Sequence, residues 1–519
     1  MNRVHVVALF LLLQVNFLVT TCCPLPCNCF SGTTMICSDS KMSFLPRDIP
    51  SRVKTLIVLA SHMKTITFQE NLGLTKAVFI NNPVQHILSD AFDGLDNLEE
   101  LEITGSPFTA LDVATFNKMS NLTKLLLNNN QLEFLAGTFN FLQKLETLQL
   151  RGNNLTHLDM TMFHNLYNLH KLDLSLNELS TINTNLFSNL SRLKMLDLGL
   201  NQITSLNVDT FNCNLQLQIL SLQGNQLTQL PSNIFTQLNK LEELNLRDNK
   251  ILELSDGLFP STLKKLNLRG NRLVQLPTTL FHGLHNLTHL DLSQNQLSTF
   301  QAEQFQNISS LEHLDLSVNK LAELPGSVFR GLLQIKTIYL QQNNLTSLKA
   351  DLFKDLETMS RLYLSKNRLK NLPRGLFDSL DFQCLVRLHG NPWRCDCDLR
   401  YLQEWLHFSK DTVEDLSQVH CDSPQTLNGH SLTTLTNEQL VCVNSSKLQN
   451  FRTNTTSTRN KCSIEEVDDN VVIKCKLIEC FDWKFEMNYN YKHGKQFQHS
   501  MKITSPKHPQ CLNITLKIN

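Results

Sequence analysis

LTKLLLNNNQL (122–132), LETLQLRGNNL (145–155) and LHKLDLSLNEL (169–179) are three copies of one pattern, LxxLxLxxNxL. It recurs with a period near 24 from about residue 53 to 391, making some fifteen turns. The asparagine returns at Asn130, Asn153, Asn177, Asn201, Asn225, Asn249, Asn271, Asn295, Asn319, Asn343, Asn367 and Asn391, and Asn82 fits the same register. Ser106 and Ser61 hold the position in two early turns. A phenylalanine precedes most of these positions by 14 residues, from Phe68, Phe92 and Phe116 through to Phe329, Phe353 and Phe377. The spacing has a physical cause. The LxL alternation makes a short strand with its leucines on one side, and successive turns stack strand beside strand at ~4.8 Å. The asparagine amide carries both donors and an acceptor, so it can satisfy backbone groups where each coil turns inward. The phenylalanines fill the outer wall. One turn cannot bury its leucines alone, but an array can.

This is the leucine-rich-repeat signature. The expected fold is therefore an α/β-type solenoid, a leucine-rich-repeat horseshoe with N- and C-terminal disulfide caps, followed by a small disulfide-linked β module. The expected segments are a signal peptide (1–22), an N-terminal Cys cap (23–52), the repeats (53–391), a C-terminal Cys cap (392–442), a linker (443–461) and the β module (462–519). The turn from Asn249 to Asn271 is two residues short and carries Phe259-Pro260, so a local change in curvature is expected there.

Residues 4–19 (VHVVALFLLLQVNFLV) are apolar behind Arg3, and small residues follow. They read as a cleaved signal peptide; a retained anchor would need ~20 residues to span a bilayer. The cut falls near Cys22 or Cys23. The expected product is secreted and soluble. Twelve of the 15 cysteines form three groups of four: Cys23, Cys27, Cys29, Cys37; Cys395, Cys397, Cys421, Cys442; and Cys462, Cys475, Cys480, Cys511. Such clusters in a secreted chain read as disulfide knots, and they lack the spacing of zinc fingers. Cys213 and Cys384 stand inside the array, too many turns apart to bridge each other, and are expected as free thiols in the wall. Residues 443–461 are rich in Ser, Thr and Asn, and the last unit contains alternating runs such as VVIKCKL (471–477).

The 519 residues carry 47 basic and 47 acidic side chains. That balance gives no reason to expect nucleic acid or an anionic membrane as partner. No HExxH, GxSxG or phosphate-binding loop occurs, and the histidines show no ligand spacing. No catalytic residue, metal or cofactor is expected. Asp173, Asp197, Asp291 and Asp315 share one strand column, which reads first as a duplicated polar face. Large apolar residues at solvent-facing strand positions are less easily dismissed: Val78, Ile80, Leu126, Met195, Ile219, Tyr339 and Tyr363. Apolar side chains on an open sheet suggest a protein interface, and tyrosine suits one. Tyr339 and Tyr363 should stand ~5 Å apart. Arg361 and Arg387 flank them and would pair with carboxylates of a partner. Sequons occur at Asn121, Asn154, Asn189, Asn286, Asn307, Asn344, Asn444, Asn454 and Asn513. Glycans on the flanks would leave the strand face open.

CPLPCNCF with ICSD (23–39) and NPWRCDCDLRYLQEWL (391–406) are similar to the caps of extracellular leucine-rich-repeat proteins. That resemblance implies the pairs Cys23–Cys29, Cys27–Cys37, Cys395–Cys421 and Cys397–Cys442, with Trp393 and Trp405 sealing the last turn. Together with DIPSRVKTL (48–56), GLTKAVFINNP (73–83), DAFDGLDNLEELEITGS (90–106) and the four-cysteine tail, the chain resembles the regulatory, non-catalytic subunits of carboxypeptidase N. The resemblance implies a plasma glycoprotein that holds a catalytic carboxypeptidase subunit. That zinc enzyme trims C-terminal Lys and Arg from circulating peptides, in a heterotetramer with two copies of each subunit. Phe382, Gln383 and Cys384 depart from the usual leucine ahead of the last strand. The competing classes are a soluble recognition or decoy receptor and a structural matrix protein. The former usually carries an anchor and the latter acidic tracts.

Overall fold

A computed structural model describes residues 23–442, apart from 69–71, 136 and 382, and the backbone of five strands between 461 and 518. Residues 1–22, expected as a signal peptide, residues 443–460 and the side chains of the C-terminal unit lie outside the described residues. So do the pairing of Cys462, Cys475, Cys480 and Cys511 and the side chains of Asn444, Asn454 and Asn513. The chain divides into two units, Met1–Val443 and Asn444–Asn519.

In the first unit, fifteen parallel strands run from Thr55–Leu59 to Leu385–Arg387 in one 18-stranded sheet. Register is strict, leucine beside leucine: Leu196 pairs with Leu220, Leu220 with Leu244 and Leu244 with Leu266. The outer wall is made of turns, and the α-helix Arg400–Phe408 belongs to the C-terminal cap. The asparagines form a ladder that ties each turn to the one before. Asn201 is typical: its Oδ1 accepts from Leu179 N at 3.1 Å, and its Nδ2 donates to Leu174 O and Leu198 O, both at 3.0 Å. In the early turns Ser61 N and Ser106 N donate to Asn82 and Asn130. Outside the ladder the phenylalanines stack in a column. Phe187, Phe211 and Phe235 lie 6.4 Å apart, centroid to centroid, and Phe329 is 6.1 Å from Phe353.

Both ends are closed. The hairpin of Cys27–Phe30 and Thr34–Cys37 lies against the first repeat strand, with Cys27 directly opposite Cys37. At the other end Val413–Glu414 extends the sheet beside Leu385–Arg387. Trp393 is fully buried, and Trp405 packs tilted against Phe377 with ring centroids 4.6 Å apart. The four bridges are Cys23–Cys29, Cys27–Cys37, Cys395–Cys421 and Cys397–Cys442.

Three irregularities are absorbed locally. In the short turn Glu243 still pairs with Lys265, and Asn271 still bonds Leu246 O at 3.0 Å, so the missing residues come from the outer wall. In the final turn Gln383 is exposed and Cys384 enters the core in place of the leucine, one residue later, with strand register kept. Burial pushes the Cys384 thiol up to about 12, consistent with a wall position. Cys213 departs from the expectation: it is exposed, because the core position beside it is taken by Asn214, whose Nδ2 donates to Phe187 O and Leu190 O.

In the second unit, Lys461–Val467, Asn470–Lys476 and Asn513–Ile518 form an antiparallel sheet in which Cys462 is the register partner of Cys475. Trp483–Asn490 and Gln496–Ile503 form a separate hairpin.

Candidate functional site

The open face of the repeats is built from the strand residues that alternate with the buried leucines. The aspartate column lies four residues before the ladder asparagine, and its first task is local. Asp173, Asp197, Asp291 and Asp315 each accept from the backbone N–H two residues on, at 2.8–3.0 Å. Asn245 and Asn267 make the same bond to Arg247 N and Arg269 N without a charge. The cap therefore does not require a carboxylate. Asp173 lies directly beside Asp197, and Asp291 beside Asp315. Like charges directly opposite each other on adjacent strands destabilise a sheet. Burial, reinforced by the neighbouring aspartate, pushes the Asp197 and Asp315 carboxyls above the ordinary range.

A depression of about 490 Å³ opens on this face, lined by Glu243, Lys265, His289, His313, Asp315 and Tyr339 among others. His289 and His313 are register partners with ring centroids 4.6 Å apart. Burial holds both imidazoles below their ordinary range. His313 and Lys265 add to this for His289, and Lys336 and Arg361 for His313. Burial thus favours the uncharged form of both rings. Ligand spacing does not reveal this pair, but its signal is present in HLDLSQN (289–295) and HLDLSVN (313–319). Among the described residues no group of three or more His, Cys, Asp or Glu is placed to hold a metal ion.

The next two strands bring the tyrosines together. Tyr339 and Tyr363 meet edge to face, 5.0 Å between centroids. Arg387 lies over the Tyr363 ring at 4.4 Å. Its guanidinium is already committed: Nε pairs with Glu414 and lies 4.0 Å from Asp415, both in the C-terminal cap. This corrects the expectation that Arg387 waits for a partner's carboxylate. It braces the tyrosines instead, and burial and Glu414 push the Tyr363 hydroxyl up. Arg361 is exposed at the rim of the patch. Val78 also needs correction: it is 5% exposed, covered between Ile57 and Glu102 on the neighbouring strands. Ile80, Leu126, Met195 and Ile219 are half-buried on the face, with Ile219 beside Met195. The structure thus joins Tyr339, Tyr363, Arg361 and Arg387 in one patch, with Ile80 and Leu126 many strands away.

The six sequons among the described residues lie off this face. Asn121, Asn189 and Asn286 donate their amides to Asp96 O, His164 O and Ser261 O of the preceding turn. Asn307 is exposed on the outer wall, and Asn154 and Asn344 directly follow ladder asparagines. No helix among the described residues is long and apolar enough to cross a membrane.

The family model for leucine rich repeats matches residues 96–155, 143–203, 191–251, 261–321, 313–369 and 333–382. Human carboxypeptidase N subunit 2 is 36% identical over 111 residues, 18% of this chain and 20% of that protein. Its mouse counterpart is 39% identical over 57 residues, 11% of this chain and 10% of that protein. Mouse SLIT and NTRK-like protein 6 is 42% identical over 66 residues, 12% of this chain and 8% of that protein. The chain thus spans a fifth or less of the length of these curated relatives. Among solved structures, a leucine-rich-repeat protein of Leptospira interrogans superposes with a TM-score of 0.62 at 26% identity, covering 72% of this chain and 93% of its own. A chain of the Drosophila Toll–Spatzle complex gives 0.58 at 18% identity, covering 80% of this chain and 73% of its own, a likeness of fold alone. The matched repeats span more than half of the sequence, and the chain belongs to the leucine-rich-repeat family.

Proposed function

We propose that the protein is a secreted, non-catalytic regulatory subunit that binds and stabilises a zinc carboxypeptidase acting on C-terminal Lys and Arg of circulating peptides. The observation that carries this reading is the similarity to carboxypeptidase N subunit 2 in both human and mouse. The caps support an extracellular setting, because disulfides persist in oxidising compartments. The patch of Tyr339 and Tyr363 is the surface we assign to the catalytic partner, in an assembly with two copies of each subunit. Paired aromatics braced by an arginine offer rigid, half-apolar area, the kind that dominates interface energetics. Arg361 supplies an uncommitted charge at the rim, and the flank sequons leave this face clear of glycans.

The test is capture from plasma on the immobilised chain, read as chelator-sensitive release of C-terminal arginine. The chain should retain this activity, and the double variant Tyr339→Ala/Tyr363→Ala should retain at least about tenfold less at an unchanged melting temperature. Retention of no such activity by the unaltered chain would reject the partner, and equal retention by the variant would reject the patch. A second reading, recognition of a different extracellular protein, draws on the similarity to SLIT and NTRK-like protein 6.

A further inference from the structure

The repeats His-Leu-Asp at 289–291 and 313–315 place a histidine at the same strand position of adjacent turns. Alternation along each strand turns both side chains to the open face, and strict register sets them side by side. Their rings stand 4.6 Å apart, centroid to centroid, with planes tilted by 37°. Among the described residues the pair has one hydrogen-bond partner, Thr288 Oγ1, 2.9 Å from His289 Nδ1. His289 Nε2 and both nitrogens of His313 are left to whatever enters the depression that the rings line. The column continues as Lys265 on one side and Thr337 on the other.

The charges around the rings do not oppose a cation. Each neighbouring lysine is already neutralised: Lys265 pairs with Glu243 at 2.6 Å, and Lys336 with Glu312 at 2.7 Å. Arg269 and Arg361 also act here, and Asp291 and Asp315 on the same face offset them. Each aspartate uses Oδ1 to cap its own turn. Both lie two residues along the strand from a histidine, too far to join the same ion directly. They can act on it through bound water and through their charge.

We propose that His289 and His313 chelate one divalent transition-metal ion of the kind that favours imidazole, copper(II) above zinc(II), with water in the remaining positions. Imidazole nitrogens sit ~2.0–2.1 Å from such an ion. Two rings at that distance, set ~90–110° apart around it, have centroids ~4.5–5.2 Å apart. The observed 4.6 Å falls in that range. Ring tilt follows χ2, a soft torsion, so turning one nitrogen of each ring to a common point needs no change of backbone. Neutral imidazole is the ligating form, and burial favours it here. Copper(II) heads the order of affinities for nitrogen donors, whereas calcium and magnesium prefer oxygen. The site does not depend on a carboxypeptidase meeting Tyr339 and Tyr363, and its loss would leave that reading as it stands.

The probe is copper(II) alone, titrated calorimetrically into the full secreted chain after treatment with chelator. The parent should bind one copper(II) ion that both His289→Gln and His313→Gln lose, or hold at least about tenfold more weakly, at an unchanged melting temperature. His285→Gln should keep it, because that ring meets Asn307 O at 3.1 Å, away from the depression. Electron paramagnetic resonance reads the ligands directly: the difference spectrum, parent minus either variant, should carry two imidazole nitrogens. Excess zinc(II) should displace this ion and calcium(II) should not. Copper uptake that is unchanged in either variant, a difference spectrum with a single nitrogen, displacement by calcium(II) but not by zinc(II), or no copper binding up to ~1 mM each overturns the proposal.

Discussion

Asn245 and Asn249 stand four residues apart in one turn, one on the open strand face and one in the buried ladder. Both use Oδ1 to accept a backbone N–H: Asn245 from Arg247 and Asn249 from Leu227. The second also donates to Leu222 O and Leu246 O, where water cannot substitute. At the ladder position almost every turn carries asparagine. At the face position the turns carry Gln149, Asp173, Ser221, Asn245 and Tyr339, because solvent or a partner can complete whatever the side chain leaves undone. The repeat thus holds its buried columns constant and leaves the face free to vary.

Three measurements would break or sharpen this contrast. The largest effect is expected where burial of the columns ends. Cys395→Ser opens the Cys395–Cys421 bridge of the C-terminal cap, and a native disulfide of this kind contributes about 2–5 kcal/mol. Secretion should fall sharply and the melting temperature should drop; normal yield with unchanged melting would show that Trp393 and Trp405 seal the array unaided.

A middle-sized effect is expected inside the turn itself. Asn249→Ala leaves the buried Leu227 N–H without its partner, while Leu222 O and Leu246 O keep Asn225 and Asn271, and should cost about 1–3 kcal/mol. Asn245→Ala should stay within about 0.5 kcal/mol, as surface changes do. Chemical denaturation of the two variants side by side tests the distinction, and equal losses would dissolve it.

The smallest effect has the opposite sign. Asp315 has its carboxyl raised by burial, so between the unfolded value and the raised folded value the native state binds more protons than the unfolded one. Stability from this group is therefore lost as pH rises through that window. Asp315→Asn should gain a few tenths of a kcal/mol at pH 7, and the gain should vanish on acidification below the ordinary carboxylate range. Melting temperatures across pH 3–8 provide the check; a variant less stable than the parent at pH 7 would mean that the charge has a stabilising partner.

The buried columns were legible in the sequence because their spacing repeats, so that each turn meets the same residue types in the turn before it. The asparagine ladder and the phenylalanine stack follow from that, while the cap pairings came from the resemblance of the flanking cysteine motifs. The face was less legible, since what a side chain does there depends on residues one turn or more away. Val78 is covered by Ile57 and Glu102, 21 and 24 residues distant. Arg387 is claimed by Glu414, 27 residues further on and outside the repeats altogether. The histidine pair could have been found by aligning turns, because His289 and His313 precede the same Leu-Asp dipeptide. Cys213 could not be placed without knowing that Asn214 takes the core position beside it.

The short turn between Asn249 and Asn271 shows how such a molecule tolerates change. Its two missing residues are removed from the outer wall, while Glu243 and Lys265 stay paired and the ladder bond to Leu246 persists. Lengthening or shortening the chain between one strand and the next is thus a different event from altering the surface those strands display. A lineage could trim loops on the outside of the coil, or graft a glycan acceptor or a binding loop there, without shifting any of the side chains that a partner meets on the inside. For an engineer the same separation marks the exposed outer segment Ser255, Asp256 and Gly257, just ahead of the buried Phe259, as the place to insert a tag and the strand columns as the place to rewrite recognition.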